Sequence, residues 1–202
     1  EHLYWEVYQQ RGCIITGLHS DGLVKRVTRL VKVHVTAEIF GVEHTLFSRM
    51  QFLHDGRARE RKQVPLRKLL WLSRSVPPDA CNTLPENCDA EECPHTEDWR
   101  SGVARVLEER LGLDGRWQRQ HLHEVTSAYS FKLEDNMPSD GYPGLNTLYC
   151  IQEITFRVIN PEDPEAQCIG LPVGMEFATT EGDFNFSKLD NEDGLPIGTQ
   201  LN

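Results

Sequence analysis

The segment RLVKVHVTAEIFG, residues 29–41, constrains the fold most strongly, because its apolar and polar residues alternate. The alternation predicts a half-buried β-strand, since successive side chains of a strand point to opposite faces of the sheet. Further strands are predicted for HTLFSRMQFLHDG, HLHEVTSAYSFKLE and LNTLYCIQEITFRVI, with a last edge strand in GMEFATTEGDFNF and coil in the tail SKLDNEDGLPIGTQLN. One helix-forming segment stands among them, so the sequence predicts an α+β fold in which a strand-rich mixed β-sheet packs with helices.

That segment, TEDWRSGVARVLEERLGL at residues 96–113, predicts a helix over about 97–111. Thr96 is the expected N-cap, and Glu97 and Asp98 place negative charge in the first turn, where the helix dipole favours it. Gly112 suits the left-handed conformation that often follows a helix. Apolar residues recur at spacings of three and four and predict one buried stripe. The stripe consists of Trp99, Val103, Val106, Leu107 and Leu111.

The same segment resembles a Nudix box, whose pattern is G-x5-E-x7-R-E-U-x-E-E-x-G-U, with U a bulky aliphatic residue. The matching residues are Glu97, Arg105, Leu107, Glu109, Gly112 and Leu113. The segments GYPGLNTLYC and DGRARERKQVPLRKLL also resemble Nudix-like proteins of algae and related protists. The resemblance covers residues 97–113 as a motif and residues 30–180 as an architecture, and it implies a Nudix-like fold.

Three positions depart from the family pattern: Glu91 stands where the glycine belongs, Val106 replaces a glutamate, and Arg110 replaces the second acid of the E-E pair. The family implies helix carboxylates that hold Mg²⁺ or Mn²⁺ against a diphosphate, and a hard dication needs several oxygen ligands. Glu109 remains, but Arg110 opposes metal binding by Coulomb repulsion. Glu108 points about 100° away from Glu109 on a helix. The resemblance therefore implies a domain that kept the helix and lost most of its metal site.

A basic stretch follows the turn at residues 55–56, with Arg57, Arg59, Arg61 and Lys62 in sequence. Alternation places Arg57, Arg59 and Arg61 on one side of a strand. This arrangement is typical of a solvated strand face. In the alternative interpretation these cations bind phosphate.

Sulfur and imidazole groups offer two further candidate metal sites. Cys81, Cys88, Cys93 and His95 can supply four zinc ligands, although their spacings are not paired C-x-x-C knuckles; a local disulfide and free thiols are the alternatives. His121 and His123 are expected on one strand face, without a third ligand.

The net charge of −10 argues against general nucleic-acid binding, which requires a basic face. The charge is unevenly distributed: residues 1–74 hold 13 Lys and Arg against 7 Asp and Glu, whereas residues 75–202 hold 8 against 24. Either the two halves attract one another within the fold, or a basic surface meets an acidic partner or a phosphate. No run of about 18 apolar residues occurs, so no transmembrane segment is expected.

The expected organisation is an N-terminal extension at 1–28, a Nudix-like domain at 29–180 with a Cys-containing insertion at 75–95, and a tail at 181–202. The start EHLYWEVYQQ has no signal-peptide pattern. The leading functional hypothesis is a non-catalytic Nudix-like domain, without a cofactor, that binds protein partners in a larger assembly. One alternative is a Mg²⁺- or Mn²⁺-dependent hydrolase of a nucleoside diphosphate derivative, with Glu97, Arg105, Glu108 and Glu109 in the site. The other is an unrelated β-rich domain in which the helix match is coincidental.

Overall fold

A computed structural model of the chain describes residues 2–16, 24–52, 56–72, 96–139, 141–180 and 199–201. Its helices are α1 (His2–Tyr8), α2 (Trp99–Leu111) and α3 (Gly115–His121), with 3-10 turns at Thr126–Ala128 and Pro164–Ile169. Its strands are β1 (Ile14–Thr16), β2 (Lys25–Ile39), β3 (Val42–Thr45), β4 (Ser48–Phe52), β5 (Ala58–Gln63), β6 (Leu66–Lys68), β7 (Leu122–Glu124), β8 (Ser130–Pro138), β9 (Asn146–Val158), β10 (Ala178–Thr180) and β11 (Thr199–Leu201). A mixed sheet, a second sheet with antiparallel pairing, and separate helices make this an α+β fold, as the sequence predicts.

The chain divides into two compact units. Unit 1 comprises Glu1–Lys32, Arg67–Val103 and Tyr129–Glu153, and unit 2 comprises Val33–Leu66, Ala104–Ala128 and Ile154–Asn202. Strands β2, β6 and β9 and helix α2 contribute residues to both units.

In unit 1, β1 pairs antiparallel with β2, and β8 pairs antiparallel with β9 from Ser130↔Glu153 to Pro138↔Asn146. An apolar cluster of Val27, Trp71 and Cys150 packs with Ile14, Phe131 and Leu148. The start of α2 adds Trp99, whose ring lies 5.6 Å from that of Tyr129. Burial of these apolar side chains stabilises the unit.

In unit 2, β2 and β3 form a hairpin with Ile39 opposite Val42, and β7 pairs antiparallel with β9. A second sheet has the strand order β10-β11-β4-β5. The C-terminal part of α2 buries Val106, Leu107 and Leu111. The apolar stripe predicted for this helix is therefore confirmed along its length, since Trp99 and Val103 are buried too.

The long strand expected from the alternating segment is confirmed as β2, and its side chains from Arg29 to Val35 alternate between buried and half-buried, as predicted. The strand begins before that segment, at Lys25, and this first part is buried on both faces. Lys25, Arg26, Thr28 and Arg29 are buried together with Val27. Each of the three cations has a polar partner, so the strand can be covered on both faces without leaving these charges unpaired. Lys25 pairs with Asp135, Arg26 with Glu6, and Arg29 donates to Thr96.

The helix near residue 97 is confirmed, but its start differs from the prediction. Asp98 caps it, because the Ser101 N–H donates to Asp98 Oδ2 at 3.0 Å, and the helix begins at Trp99. The predicted cap, Thr96, instead accepts a hydrogen bond from Arg29 Nη1 at 2.6 Å. Gly112 follows the helix with φ = 70°, as predicted.

Several shorter elements differ from the sequence-based expectation. The segment HLHEVTSAYSFKLE holds β7, a 3-10 turn and β8 rather than one strand, and HTLFSRMQFLHDG contributes to both β3 and β4. His121 ends helix α3 and His123 lies in β7, so the two histidines do not share a strand face. The end of the tail, expected as coil, forms β11. Within the described ranges, no helix has the length and apolarity needed to cross a membrane.

Candidate functional site

The acid expected at the start of the Nudix-like motif, Glu97, is engaged within unit 1. Its carboxylate Oε2 accepts the Leu70 N–H at 3.0 Å, and its own N–H donates to the Leu70 carbonyl at 2.7 Å. This two-way contact joins the segment that precedes α2 to the chain that follows β6. The position of Glu97 is thus explained by backbone hydrogen bonding.

The acids of the second half of the motif lie in unit 2. Glu109 Oε2 is 3.4 Å from Arg105 Nη1, one helical turn away, and Glu108 is exposed to solvent. In the parts of the chain that the structure describes, no three His, Cys, Asp or Glu side chains come together as a metal-binding group. Cys81, Cys88, Cys93 and His95, the candidate zinc ligands, lie outside those parts. Of the described cysteines, Cys13 and Cys168 are free thiols.

The basic residues expected as phosphate contacts separate in the structure. Arg57 is exposed before β5 begins, and Lys62 pairs with Glu60 at 2.9 Å, its side chain 76% exposed. Arg61 is half-buried and lines a small pocket. The side chain of Arg59 lies outside the described part.

This pocket, which we name the arginine pocket, has a volume of about 100 Å³ and lies within unit 2. Its lining consists of Ser48, Gln51, Arg61, Gln63, Val64, Pro65, Leu66 and Arg110. Among the lining residues in the described part of the chain, Arg61 and Arg110 carry the charged groups. Arg110, the residue that replaces a metal-binding acid of the Nudix pattern, therefore shares a pocket with Arg61.

The hairpin of β4 and β5 builds one wall of the arginine pocket. Ser48 is opposite Gln63 and Met50 is opposite Glu60, so β5 carries one extra residue in a β-bulge. Lys62 has the left-handed φ of 49° within this bulge. A bulge bends its strand and re-aims nearby side chains, and both Arg61 and Gln63 line the pocket. The Arg61 Nε donates to Gln51 Oε1 at 2.7 Å, which fixes the plane of the guanidinium group.

Helix α2 supplies the second cation of the lining. Arg110 lies in its last turn, where the helix dipole favours positive charge. The carbonyl of Arg110 accepts a hydrogen bond from Thr179 Oγ1 at 2.6 Å, which holds this end of the helix against β10. Both guanidinium groups therefore project from backbone that is itself held by hydrogen bonds.

The chemistry of the arginine pocket favours a small anion. Guanidinium groups present several N–H donors in a planar fork that matches the oxygens of phosphate and carboxylate. The hydroxyl of Ser48, which is buried, and the amides of Gln51 and Gln63 provide further polar atoms in the lining. The small volume limits the bound group to about the size of one phosphate.

A second polar cluster, buried in unit 1, was not expected from the sequence. Glu6 of α1 accepts hydrogen bonds from Arg26 Nη2 at 2.5 Å, from Tyr142 Oη at 2.9 Å, and from Lys68 Nζ. Arg26 also donates to the buried Thr147 at 3.3 Å. The cluster joins α1, β2, β6 and β9, and both of its cations, Arg26 and Lys68, pair with Glu6.

The protonation of this cluster follows from its contacts. Burial alone would raise the pKa of Glu6, but the hydrogen bonds from Arg26 and Lys68 outweigh it and place that pKa below its ordinary value. Burial, together with the hydrogen bond to Glu6, raises the pKa of Tyr142 to about 12. Burial also raises the pKa of Cys13, so its thiol stays protonated at neutral pH and is a poor nucleophile. The cluster is suited to holding unit 1 together rather than to acid–base chemistry.

The sequence did not predict the polar contacts of the Glu6 cluster or the pairing of residues in the arginine pocket, because no local pattern marks them. Glu6 and Arg26 are 20 residues apart, and Glu6 and Tyr142 are 136 apart. In the arginine pocket, Arg61 belongs to a basic run and Arg110 interrupts an acidic motif. These two irregularities were the signals that could have linked the positions.

Comparison of the chain with protein-family models, with curated proteins and with solved structures gave no match.

Proposed function

We propose that this chain is a non-catalytic, Nudix-like binding domain whose arginine pocket holds a small oxyanion, such as a phosphate group of a partner molecule. The observation that carries the proposal is the position of Arg110. The Nudix resemblance places a metal-binding acid there, whereas this chain has a guanidinium group that lines a pocket with Arg61. Guanidinium groups can hydrogen-bond phosphate oxygens directly, whereas the family is expected to reach the phosphate through a metal ion.

The engagement of the remaining acids supports the non-catalytic part of the proposal. Glu109 already pairs with Arg105, and Glu97 accepts a backbone N–H from Leu70. A carboxylate that leaves such a contact to bind a dication loses the hydrogen bond, which costs about 1–3 kcal/mol. Metal binding by these residues is therefore disfavoured both by Arg110 and by their present contacts.

Calorimetric titration with inorganic phosphate and pyrophosphate, in buffer without divalent metal, tests the proposal. We expect binding that weakens as salt is added, because the site is electrostatic. Arg61→Gln and Arg110→Gln should each weaken binding by about tenfold or more, since a hydrogen bond to a charged group contributes about 1.5–3 kcal/mol. Arg100→Gln is the matched control, because Arg100 lies on the same helix but over the ring of Trp99, 4.1 Å from its centroid.

The hydrolase alternative makes the opposite prediction. It expects Mg²⁺- or Mn²⁺-dependent turnover of nucleoside diphosphate derivatives that disappears in Glu109→Gln. Such turnover, together with phosphate binding that is unchanged in Arg110→Gln, would contradict the proposal.

We also infer that the domain works as a subunit of a larger assembly. Support comes from the large apolar side chains that the β2–β3 hairpin of unit 2 leaves exposed, Phe40 (87%) and Val42 (59%). Aromatic residues and methionine are enriched in protein interfaces. Phe40 is at the tip of the β2–β3 hairpin, where solvent surrounds most of its ring.

Size-exclusion chromatography of a native extract tests this inference. The expected result is co-elution of the chain with a larger complex, and Phe40→Asn should shift a measurable fraction of it to the position of the free chain. Elution of wild-type protein as a solitary 23.1 kDa species would contradict the inference.

A further inference from the structure

A larger cavity, which we name the apolar pocket, lies within unit 2 and has a volume of about 290 Å³. One side is formed by residues of β2 and β3 and the chain that follows them, among them Val35, Ala37, Ile39 and Leu46. The other side is formed largely by the segment 169–177, which contributes Ile169, Leu171, Met175 and Phe177. Apolar atoms therefore make up most of the lining, and the volume is near the lower limit for small-molecule sites.

The segment that closes the apolar pocket has a well-defined backbone. Gly170 has φ = 79°, and its carbonyl accepts the Met175 N–H at 2.7 Å. A Cβ atom at Gly170 would collide with the Met175 carbonyl, so only glycine fits this tight approach. The turn places Met175 beside the cavity while leaving its side chain 67% exposed.

Four of the five polar side chains in the lining have intramolecular partners. Thr36 Oγ1 donates to the Phe156 carbonyl at 3.4 Å, and His44 Nδ1 is 2.9 Å from the Val42 carbonyl. Arg49 and Glu176 form an ion pair with each other. A charged ligand would have to break this pair or remain unpaired in an apolar cavity, which is unfavourable.

We propose that the apolar pocket binds a small, uncharged and predominantly apolar molecule. Its apolar surface would pack against the aliphatic lining and cover Met175 and Phe47, whose flexible thioether and aromatic ring adapt to ligands of different shape. A peptide fits less well, because its backbone N–H and C=O groups would need partners that these satisfied polar side chains do not provide. The site is separate from the arginine pocket, since the two linings share none of the residues that the structure describes.

Titration with the neutral fluorescent probe N-phenyl-1-naphthylamine tests the proposal. We expect saturable fluorescence enhancement by the wild-type protein, accompanied in methyl NMR spectra by shifts of Val35, Leu46 and Leu171. Ala37→Leu adds methyl groups inside the cavity and should weaken binding by about tenfold or more, as the fit of single methylene groups does in apolar sites. Ala58→Leu is the matched control, because Ala58 is exposed on β5 and away from the pocket lining.

A second pair of variants keeps the test decisive if Ala37→Leu does not fold. Met175→Lys places a charge at the mouth of the pocket and should weaken probe binding at least severalfold, whereas Val173→Lys changes an exposed residue of the same segment outside the lining. Equal effects of these two substitutions, or methyl shifts that avoid the pocket, would overturn the proposal. So would the absence of saturable binding to the wild-type protein. Arg61→Gln and Arg110→Gln should leave probe binding unchanged, which separates this site from the proposed anion site.

Discussion

Glu6 illustrates how single residues determine the stability of unit 1. Its carboxylate is 6% exposed and accepts hydrogen bonds from Arg26, Lys68 and Tyr142. Glu6→Gln removes the negative charge and leaves Arg26, equally buried, without its counter-ion. We expect the free energy of unfolding, measured by urea titration, to fall by about 3 kcal/mol, because removing one partner of a buried ion pair leaves an uncompensated charge.

Glu134→Gln provides the control, since Glu134 is exposed on β8 in the same unit. Its effect should remain within about 0.5 kcal/mol, as for most surface substitutions. Equal effects of the two substitutions would contradict the importance assigned to Glu6.

At the residue scale, the sequence predicted apolar burial better than polar burial. The stripe of α2 follows a helical period that can be read from neighbouring residues. The burial of Lys25, Arg26 and Arg29 depends on Asp135, Glu6 and Thr96, which are distant in sequence. Alternation correctly identified the half-buried part of β2 but could not show that the strand begins at Lys25, where distant polar groups cover its second face.

Among the elements, the β2–β3 hairpin has a turn that is unfavourable for its sequence. Phe40 and Gly41 connect the strands with φ values of 51° and 77°. Asparagine followed by glycine suits such two-residue turns, whereas a bulky side chain in the left-handed region costs about 1–2 kcal/mol. Phe40→Asn should therefore raise the free energy of unfolding by about 1 kcal/mol, measured by urea titration, because little packing is lost from an exposed ring.

Phe40→Ala distinguishes the effect of the turn conformation on stability from the effect of the aromatic ring. It removes the aromatic group without supplying asparagine's preference for the left-handed region, so it should give less stabilisation than Phe40→Asn. Loss of stability in both variants would mean that the ring contributes to folding, and it would weaken the proposed role of Phe40 in an interface.

Helix α2 contains a glycine that close packing requires. A Cβ atom at Gly102 would overlap Leu69 Cδ2, and Leu69 is buried. Helix propensity alone would favour alanine by about 1 kcal/mol. We expect Gly102→Ala to destabilise unit 1 by about 1–3 kcal/mol instead, because overpacking forces shifts of side chains and backbone. Thermal unfolding measures the change.

Gly115→Ala is the matched control. A Cβ atom there would approach only the end of the flexible Arg119 side chain, at 3.2 Å. It should be close to neutral, and a Gly102→Ala variant as stable as this control would contradict the packing argument.

At the element scale, long helices and strands were easier to predict from the sequence than short ones. The 13-residue α2 and the 15-residue β2 contain enough turns or alternations to be recognised. Helices α1 and α3, with 7 residues each, and strand β11, with 3, do not. Strand β11 forms because β10 and β4 pair with it on either side, which its own sequence cannot indicate. The arginine pocket likewise depends on a bulge at Lys62, where no glycine marks the left-handed residue.

Across the whole molecule, the excess of acidic residues does not by itself determine how stability varies with pH. What matters is the difference in proton binding between the folded and unfolded chain. Burial raises the pKa of Glu6, but the neighbouring cations lower it by more, so the net shift is downward. The hydrogen bond from Lys132 lowers the pKa of Glu153. Both carboxylates therefore bind protons more weakly in the folded state than in the unfolded state.

These two shifts predict a loss of stability in acid. The stabilisation is fully present above the ordinary glutamate value of 4.5 and is lost as pH falls through the lower, folded-state pKa values. Urea titrations at constant ionic strength should give a free energy of unfolding that becomes smaller as the pH is lowered from about 6 to about 3. In Glu6→Gln the decrease should be smaller, because one of the groups that take up protons on unfolding is gone. If the free energy of unfolding of that variant depends on pH as strongly as that of the wild-type protein, other carboxylates dominate the loss of stability in acid. The pKa of Glu6 would then not be lowered as its contacts require.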